Sequence, residues 1–311
     1  MTQQASRVIK QSMKLMGNHF EISVVAADEA WANSMIILGV QEIQRIEKLL
    51  TTFSDDSETA LINDNAGIQP VKVSREVFNI IERSIRISGV TQGAFDITYG
   101  SIDKRLWNFD TTMQCLPDAA TAKKMVRLIN YKNIVLDTEA CTVFLKYAGM
   151  RIGFGGIGKG YAAEKAKELM KAHGVKNGIV NASGDLTTWG FQPDGKPWTI
   201  GIVHPDLKFP FSYMDITDMA VATSGNYEKY IMIDGKKYSH TIDPKTGLPI
   251  RGIKSVTIFS TNAEICDAMA TPVMILGVDY GLKLINQMNQ IECVIIDDNN
   301  KIYTSRKINC T

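Results

Sequence analysis

The 311-residue sequence predicts an α+β fold, and its length permits one large domain or two small ones. Three observations carry that prediction. Apolar residues recur at helical spacing in two stretches before residue 90. A run of short β-branched segments follows residue 177. Helical and strand patterns do not alternate regularly, which argues against a doubly wound parallel sheet.

Taken in order, "HFEISVVA" (19–26) alternates and is β-branched, so it reads as a strand. Trp31, Met35, Leu38, Ile43, Ile46 and Leu50 define one apolar helix face between Glu29 and Leu50. Val77, Ile80, Ile81, Ile85 and Ile87 define a second, with Ser74 as its N-cap. The polar stretch "TTFSDDSETALINDNAG" between them predicts a loop with a short helix. Short strands are expected at 133–137, 142–146 and 151–154, then a helix over 159–173. Strands and turns follow at 177–190, 196–203, 219–225 and 230–244, and a strong strand at 253–260. "NAEICDAMATPVMILG" (262–277) predicts a helix that Pro272 should kink or interrupt. A strand at 291–298 and a last hairpin close the chain.

Composition narrows the function classes. A chain that is 45% hydrophobic and 22% charged builds a sizeable globular core. A net charge of +1 gives no global field favouring nucleic acid or an anionic membrane. No uncharged apolar run reaches about 18 residues, so no transmembrane segment is expected. Met1 to Gly17 is polar and lacks the apolar core of a signal peptide, which suggests an internal protein or a removed export signal. The five cysteines show no C-x-x-C spacing and read as mostly buried thiols, with Cys310 exposed.

Several stretches carry candidate chemistry. "GFGGIGKGYAAE" (153–164) satisfies G-x-G-x-x-G through Gly153, Gly155 and Gly158, and nearly satisfies a P-loop, but Gly160 stands where Ser or Thr should be. Backbone amides before a helix make an anion site, and Lys159 sits at the helix start. The same glycines also suit a tight strand-to-helix turn that permits close packing. In "CDAMAT", Asp267 and Thr271 are i and i+4 and share a helix face. They are hard oxygen donors of the kind Mg²⁺ takes when it keeps waters and shares substrate phosphates. Alone, the pair reads first as a solvated carboxylate and a Thr bonded back to its own helix. In "SHTIDPKTGLP" (239–249), His240 and Asp243 flank a turn, and His suits proton transfer near neutral pH. His19, His173 and His204 have no such company and read as structural or surface residues. "GAFDITYG" sets Phe95 beside Asp96, a ring able to stack on a flat ligand or simply to fill a core. No local signature of a Ser-His-Asp or Cys-His nucleophile is present.

Together, "LMGNHFEI", "LLTTFSDDSE", "GAFDITYG", "GGIGKGYAAE", "NASGDL", "AVATSGNYEKY", "SHTIDPKTG" and "DAMATP" stand in the order and spacing of the ApbE family. These are the FAD:protein FMN transferases, or flavin transferases, and the chain resembles them from about Leu15 to about Tyr303, which implies a single domain with mixed sheets and flanking helices over 15–305, with tails at 1–14 and 306–311. The resemblance implies a T-fold-related α+β unit with FAD, as substrate, in a cleft. It implies Mg²⁺-dependent transfer of FMN from FAD to a Thr or Ser of a target flavoprotein through a phosphoester, with release of AMP. The implied targets are subunits of redox-driven ion pumps and related electron-transfer proteins; nucleic acid is not an expected partner. Family members are often exported and lipid-anchored.

By that resemblance, Met16, Phe53, Ala94, Phe95, Asp96, Gly153, Lys159, Asp185, Thr223 and Thr241 fall at FAD-contacting positions. Asp267, Thr271 and the carbonyls of Gly156 and Ala270 fall at metal-binding positions. Two departures stand out: Phe53 replaces a frequent Tyr, and Gly153 replaces an Asp, so any contact there is through backbone. The acceptor hydroxyl needs a base, and His240 is the candidate, with Asp243 as orienter or alternate. A metal-dependent FAD pyrophosphatase giving FMN and AMP, and a non-catalytic FAD-binding protein, are the competing readings.

Overall fold

The computed structural model describes residues 5–103, 105, 115–203, 210–225, 230–233, 235–239 and 241–308. His240, His204, Cys310 and part of "ATSGNYEKY" lie outside them. The elements run in this order: strand β1 (Arg7–Leu15), β2 (Asn18–Ala26), helix α1 (Glu29–Leu50), α2 (Glu58–Asp64), β3 (Val71–Lys72), α3 (Arg75–Val90) and a 3₁₀ turn (Ile97–Ser101). Then come α4 (Ala119–Met125), a second 3₁₀ turn (Tyr131–Asn133), β4 (Ile134–Asp137), β5 (Thr142–Leu145) and α5 (Gly158–Ala172). Strands β6 (Gly178–Ala182), β7 (Asp185–Trp189), β8 (Trp198–Val203), β9 (Pro210–Ile216), β10 (Ala220–Gly225), β11 (Tyr230–Ile233), β12 (Lys236–Ser239) and β13 (Ile253–Ser260) follow. The chain ends with α6 (Ala263–Ile285), β14 (Ile291–Asp297) and β15 (Ile302–Thr304).

Eight strands form the main sheet in the order β1-β2-β6-β7-β10-β13-β14-β15, each neighbour antiparallel. Helices α1, α5 and α6 pack together over it. Ile36, Ile43 and Ile46 of α1 meet Phe20, Ile22 and Val24 of β2 in the principal core. A second apolar cluster joins Leu186, Val221, Phe259 and Val294 of the sheet to Trp198, Ile202 and Ile216 of the antiparallel β8–β9 hairpin. With helices on one face and this hairpin on the other, β13 is buried at all eight positions; apart from Lys254 its residues are apolar or carry hydroxyls. β3, β5 and β4 make a small separate sheet.

Local chemistry sets the helix boundaries. Asp28, Ser57, Ser74 and Asn262 cap α1, α2, α3 and α6 by accepting backbone N–H bonds through their side chains. His173 ends α5, with its ring Nδ1 on the Leu169 carbonyl at 2.9 Å.

Four expectations are corrected. β1 begins at Arg7 and pairs with β2 along its whole length, so most of the expected 1–14 tail belongs to the sheet. At 151–154 there is no strand. The Asn63 side chain takes a strand's place there, accepting from Ile152 N at 2.7 Å and donating to Ile152 O at 3.0 Å. The long helix passes through Pro272 and breaks instead at Gly277, whose φ of 81° and ψ of 175° no helix accommodates. It then resumes to Ile285, beyond its expected end. By length and composition α6 is apolar enough to cross a membrane. Here it packs against β10, β13 and α5, with most of its first half buried.

Candidate active site

The centre of the site is where the starts of α5 and α6 touch. Gly160 makes this contact possible: a Cβ there would lie 2.2 Å from the Ala263 carbonyl oxygen and 2.7 Å from Asp267 Cβ. The two helices exchange carboxylates across this contact. Asp267 of α6 accepts the Gly160 N–H of α5 at 2.9 Å, and Glu164 of α5 accepts the Ala263 N–H of α6 at 2.9 Å. Each carboxylate satisfies an amide that its partner helix leaves free and faces the positive end of that helix's dipole. Glu164 is also paired with Lys167 in the interior.

Lys159 lies between two buried carboxylates. Its ammonium is paired with Asp185 of β7 and stands 3.4 Å from Asp267. Burial pushes Asp185 up to about 7, and repulsion from Asp267 adds to the shift. Lys159 and the Thr223 N–H oppose it. Burial works against the charge on Lys159, but Asp267 and Asp185 together hold its ammonium above the usual lysine range. The lysine is therefore a counter-ion for two acids rather than a free positive charge. Thr223 serves β10 and β13 as well, its hydroxyl 2.9 Å from that of Thr257.

One turn along α6, the Thr271 hydroxyl lies 2.9 Å from that of Ser224. Asp267, Thr271 and Asp185 offer only oxygen donors. Among the described residues no group of three or more His, Cys, Asp or Glu comes together as a metal cage. This donor set fits Mg²⁺, which takes few protein ligands and keeps places for water and phosphate oxygens. Of the two backbone positions, Gly156 lines the cleft, whereas Ala270 is buried within α6. Pro272 has no N–H, so the carbonyl deprived of a helical donor is that of Ala268.

A cleft of about 410 Å³ opens beside this centre, lined by Ala94, Phe95, Asp96, Gly153, Gly156, Thr241 and Thr271 among others. Its walls are mainly apolar, with Ile97, Tyr99, Ile242, Pro272 and Ile275 lining it together with the glycines. Burial pushes the Tyr99 phenol up to about 12. Gly153 and Gly155 have room for a Cβ, so the open turn at the cleft is a property of small residues, whereas Gly160 is a packing requirement. Asp96 is buried, and burial raises its carboxyl above the ordinary range against three bonds that lower it. Those bonds come from Thr98 N, Thr98 Oγ1 and Tyr131 N, at 2.8, 2.6 and 2.8 Å. They make it a brace for the cleft wall.

The sequence-predicted residues thus divide. Ala94, Phe95, Asp96, Gly153, Gly156, Thr241 and Thr271 meet at the cleft, and Lys159, Asp185, Thr223 and Asp267 form the polar centre next to it. Met16, at a φ of 50°, brings its side chain toward Gly158 at the start of α5. Phe53 is 98% exposed on the loop after α1, whose Thr52 stands near Gly153. Asp243 does not line the cleft; its carboxylate accepts from Lys245 N and Thr246 Oγ1, fixing the turn that follows Thr241. Sequence reasoning missed Ser224, Tyr99, Ile275 and the capping role of Glu164. Ile275 was accessible as the residue four beyond Thr271 on one helix face, and Tyr99 from its place in "GAFDITYG". The partnership of Ser224 with Thr271 depends on tertiary contact alone.

The fold and site define an α+β protein with a largely apolar cleft, bordered by a glycine turn and a helix-borne pair of hard oxygen donors. The chain belongs to the ApbE family, whose model matches residues 16–295. It is 33% identical over 303 residues to a Klebsiella pneumoniae protein named FAD:protein FMN transferase, covering 96% of this chain and 92% of that one. A Vibrio cholerae protein of the same name is 30% identical, over 85% of this chain and 80% of its own. The ApbE protein of Thermotoga maritima superposes with a TM-score of 0.86 at 28% identity, covering 96% of this chain and 97% of that one. The Pseudomonas stutzeri flavinyl transferase ApbE does so at 0.86 and 25%, covering 98% and 97%.

Proposed function

We propose that the protein is a Mg²⁺-dependent FAD:protein FMN transferase that joins FMN from FAD to a Thr or Ser of a target flavoprotein through a phosphoester and releases AMP. The observation that supports this most is the meeting of Asp267 and Thr271 on α6 with the glycine turn and Lys159 on α5, at the end of an apolar cleft. Relatives named FAD:protein FMN transferase cover nearly the whole chain.

In this reading Phe95, Ile97 and Ile275 hold the flat part of FAD and exclude water. In the same reading the exposed Phe53, next to Thr52 near Gly153, covers a ring of the bound ligand. The glycine turn lets a pyrophosphate approach the backbone, because no side chain intervenes at Gly153, Gly155 and Gly156. Asp267 and Thr271, with Asp185 beside them, would hold Mg²⁺, which supplies charge neutralisation for the phosphates and the AMP leaving group. Ser224 orients the Thr271 hydroxyl through their shared hydrogen bond. Lys159 balances the two carboxylates and stands next to the incoming phosphate charge. His240, adjacent in sequence to cleft-lining Thr241, takes the proton of the acceptor hydroxyl. Asp243 fixes the turn that follows Thr241. The acceptors are electron-transfer subunits of redox-driven ion pumps and their relatives.

The test follows AMP released from FAD with and without a flavoprotein acceptor domain. The reading expects AMP only when acceptor and Mg²⁺ are both present, and its loss in Asp267→Asn with FAD binding retained. Equal AMP release without an acceptor would favour a pyrophosphatase instead.

A further inference from the structure

Next to the cleft lies a second hollow of about 780 Å³, which shares Asp96 and Pro244 with it. Its rim carries Lys123, Arg127, Lys132 and Lys245. Arg127 also borders a third hollow together with Lys124, so the cations form a continuous band over α4 and the turn after it. All five are exposed. This is an uneven distribution for a chain of net charge +1.

The nearby carboxylates do not neutralise the band. Asp96 is saturated by Thr98 and Tyr131, and Asp103 is held by Arg105; the Asp103 charge also reaches Arg127, without an ion pair between them. Asp118 caps α4 with both oxygens, and Asp243 is bound within its own turn. Lys123 donates to the Lys245 carbonyl at 2.9 Å, and Lys132 lies over the Tyr131 ring. Among the described residues none of the five cations forms an ion pair with a carboxylate.

We propose that this band docks an acidic segment of the acceptor protein and so sets which flavoprotein presents its hydroxyl to the cleft. The inference rests on the transferase reading above. Cations spread across two adjoining hollows match a series of carboxylates along an extended chain; a single phosphate would need them to converge. The band has no exposed large apolar side chain to enter a bilayer, since Val126 is buried and Ile129 only half exposed. Charges at such a rim steer encounter and discriminate between partners more than they add affinity.

The test uses the full chain and two readouts. In the first, a fluorescein-labelled peptide with Asp residues around a central Thr is titrated by anisotropy, beside its Asn counterpart and without FAD. The wild type should bind the Asp peptide about ten times tighter at low salt, with the preference fading as ionic strength rises toward ~0.15 M. Arg127→Glu/Lys132→Glu should abolish the preference, and Arg127→Gln/Lys132→Gln should reduce it while the thermal melt stays unchanged. In the second, steady-state transfer to an acceptor domain is measured for the same variants. The charge reversal should raise KM for the acceptor about tenfold and leave KM for FAD unchanged. An unchanged acceptor KM, with wild-type transfer intact, overturns the docking assignment and leaves the transferase reading standing. A raised FAD KM would make the hollow part of the cofactor site and overturn it equally. Tighter binding of an anionic vesicle or a DNA oligonucleotide than of the Asp peptide would also overturn it. No transfer by the wild type to any acceptor would instead remove the transferase reading.

Discussion

Replacing Gly160 by alanine places a methyl carbon 2.2 Å from the Ala263 carbonyl oxygen, 2.7 Å from its carbonyl carbon and 2.7 Å from Asp267 Cβ. Two of these atoms are backbone, so the starts of α5 and α6 must separate rather than a side chain swing aside. Overpacking of this kind costs about 1–3 kcal/mol. Separation also weakens the 2.9 Å bond from Gly160 N to Asp267, a charge-assisted bond of about 1.5–3 kcal/mol. Alanine's better helix propensity returns about 1 kcal/mol. The net loss is about 2–4 kcal/mol, which for a chain of 311 residues lowers Tm by about 3–6 °C. Because Asp267 moves, Mg²⁺-dependent turnover should fall more than the melt implies. Gly155→Ala is the control: its Cβ meets nothing within 4 Å, so it should melt within about 0.5 kcal/mol of wild type. Calorimetric melts of both variants with Mg²⁺-titrated turnover decide the matter. A Gly160→Ala protein with wild-type melt and turnover would refute the claim that this contact sets the position of Asp267.

Three more predictions follow from the same centre. Lys159→Met leaves Asp185 and Asp267 facing each other uncompensated. With Lys159 present, Asp185 is raised from 3.8 to about 7, and its protonated form stabilises the fold at low pH, a contribution lost as pH rises through about 7; without the lysine that lowers it, the carboxyl goes higher and the loss continues above that point. Urea melts of the metal-free variant should therefore lose more stability between about pH 6 and 8 than wild type does, and parallel curves would contradict the charge balance drawn here. Glu164→Gln breaks the interior pair with Lys167, whose side chains are 8% and 9% exposed, and should cost about 3–5 kcal/mol in denaturant melts, while Glu164→Gln/Lys167→Met recovers most of it. His240→Ala should slow transfer by about 10²–10⁴-fold at saturating substrates without changing FAD affinity by flavin fluorescence; a normal rate would remove it from the mechanism.

Where one local cause decided the structure, the sequence was readable. The spacing of Ile43, Ile46 and Leu50 placed α1, although its buried face begins at Ala32 and Ile36 rather than at Trp31 and Met35; Ser74 marked the start of α3, and the i, i+4 relation of Asp267 and Thr271 put them on one face of α6. The glycine stretch was ambiguous by itself because its glycines have separate tasks. Gly153, Gly155 and Gly156 keep the cleft open, and Gly160 admits a second helix. Failures came where a distant group decided. Residues 151–154 have a strand's composition, but their hydrogen bonds go to the Ser101 hydroxyl, the Asn63 side chain and Ile97 O. The helix tolerates Pro272 and yields at Gly277, where positive φ is available without a Cβ penalty. Lys159 looked like a free cation at a helix start, and only the approach of β7 and α6 supplied its two carboxylates.

The most direct test of the account is intact-mass spectrometry of a flavoprotein acceptor domain incubated with this protein, FAD and Mg²⁺. The account predicts a mass gain of one FMN residue on the acceptor, matched by AMP, and absent when the acceptor threonine is replaced by alanine. AMP without a labelled acceptor, or bound FAD with neither product, would contradict it.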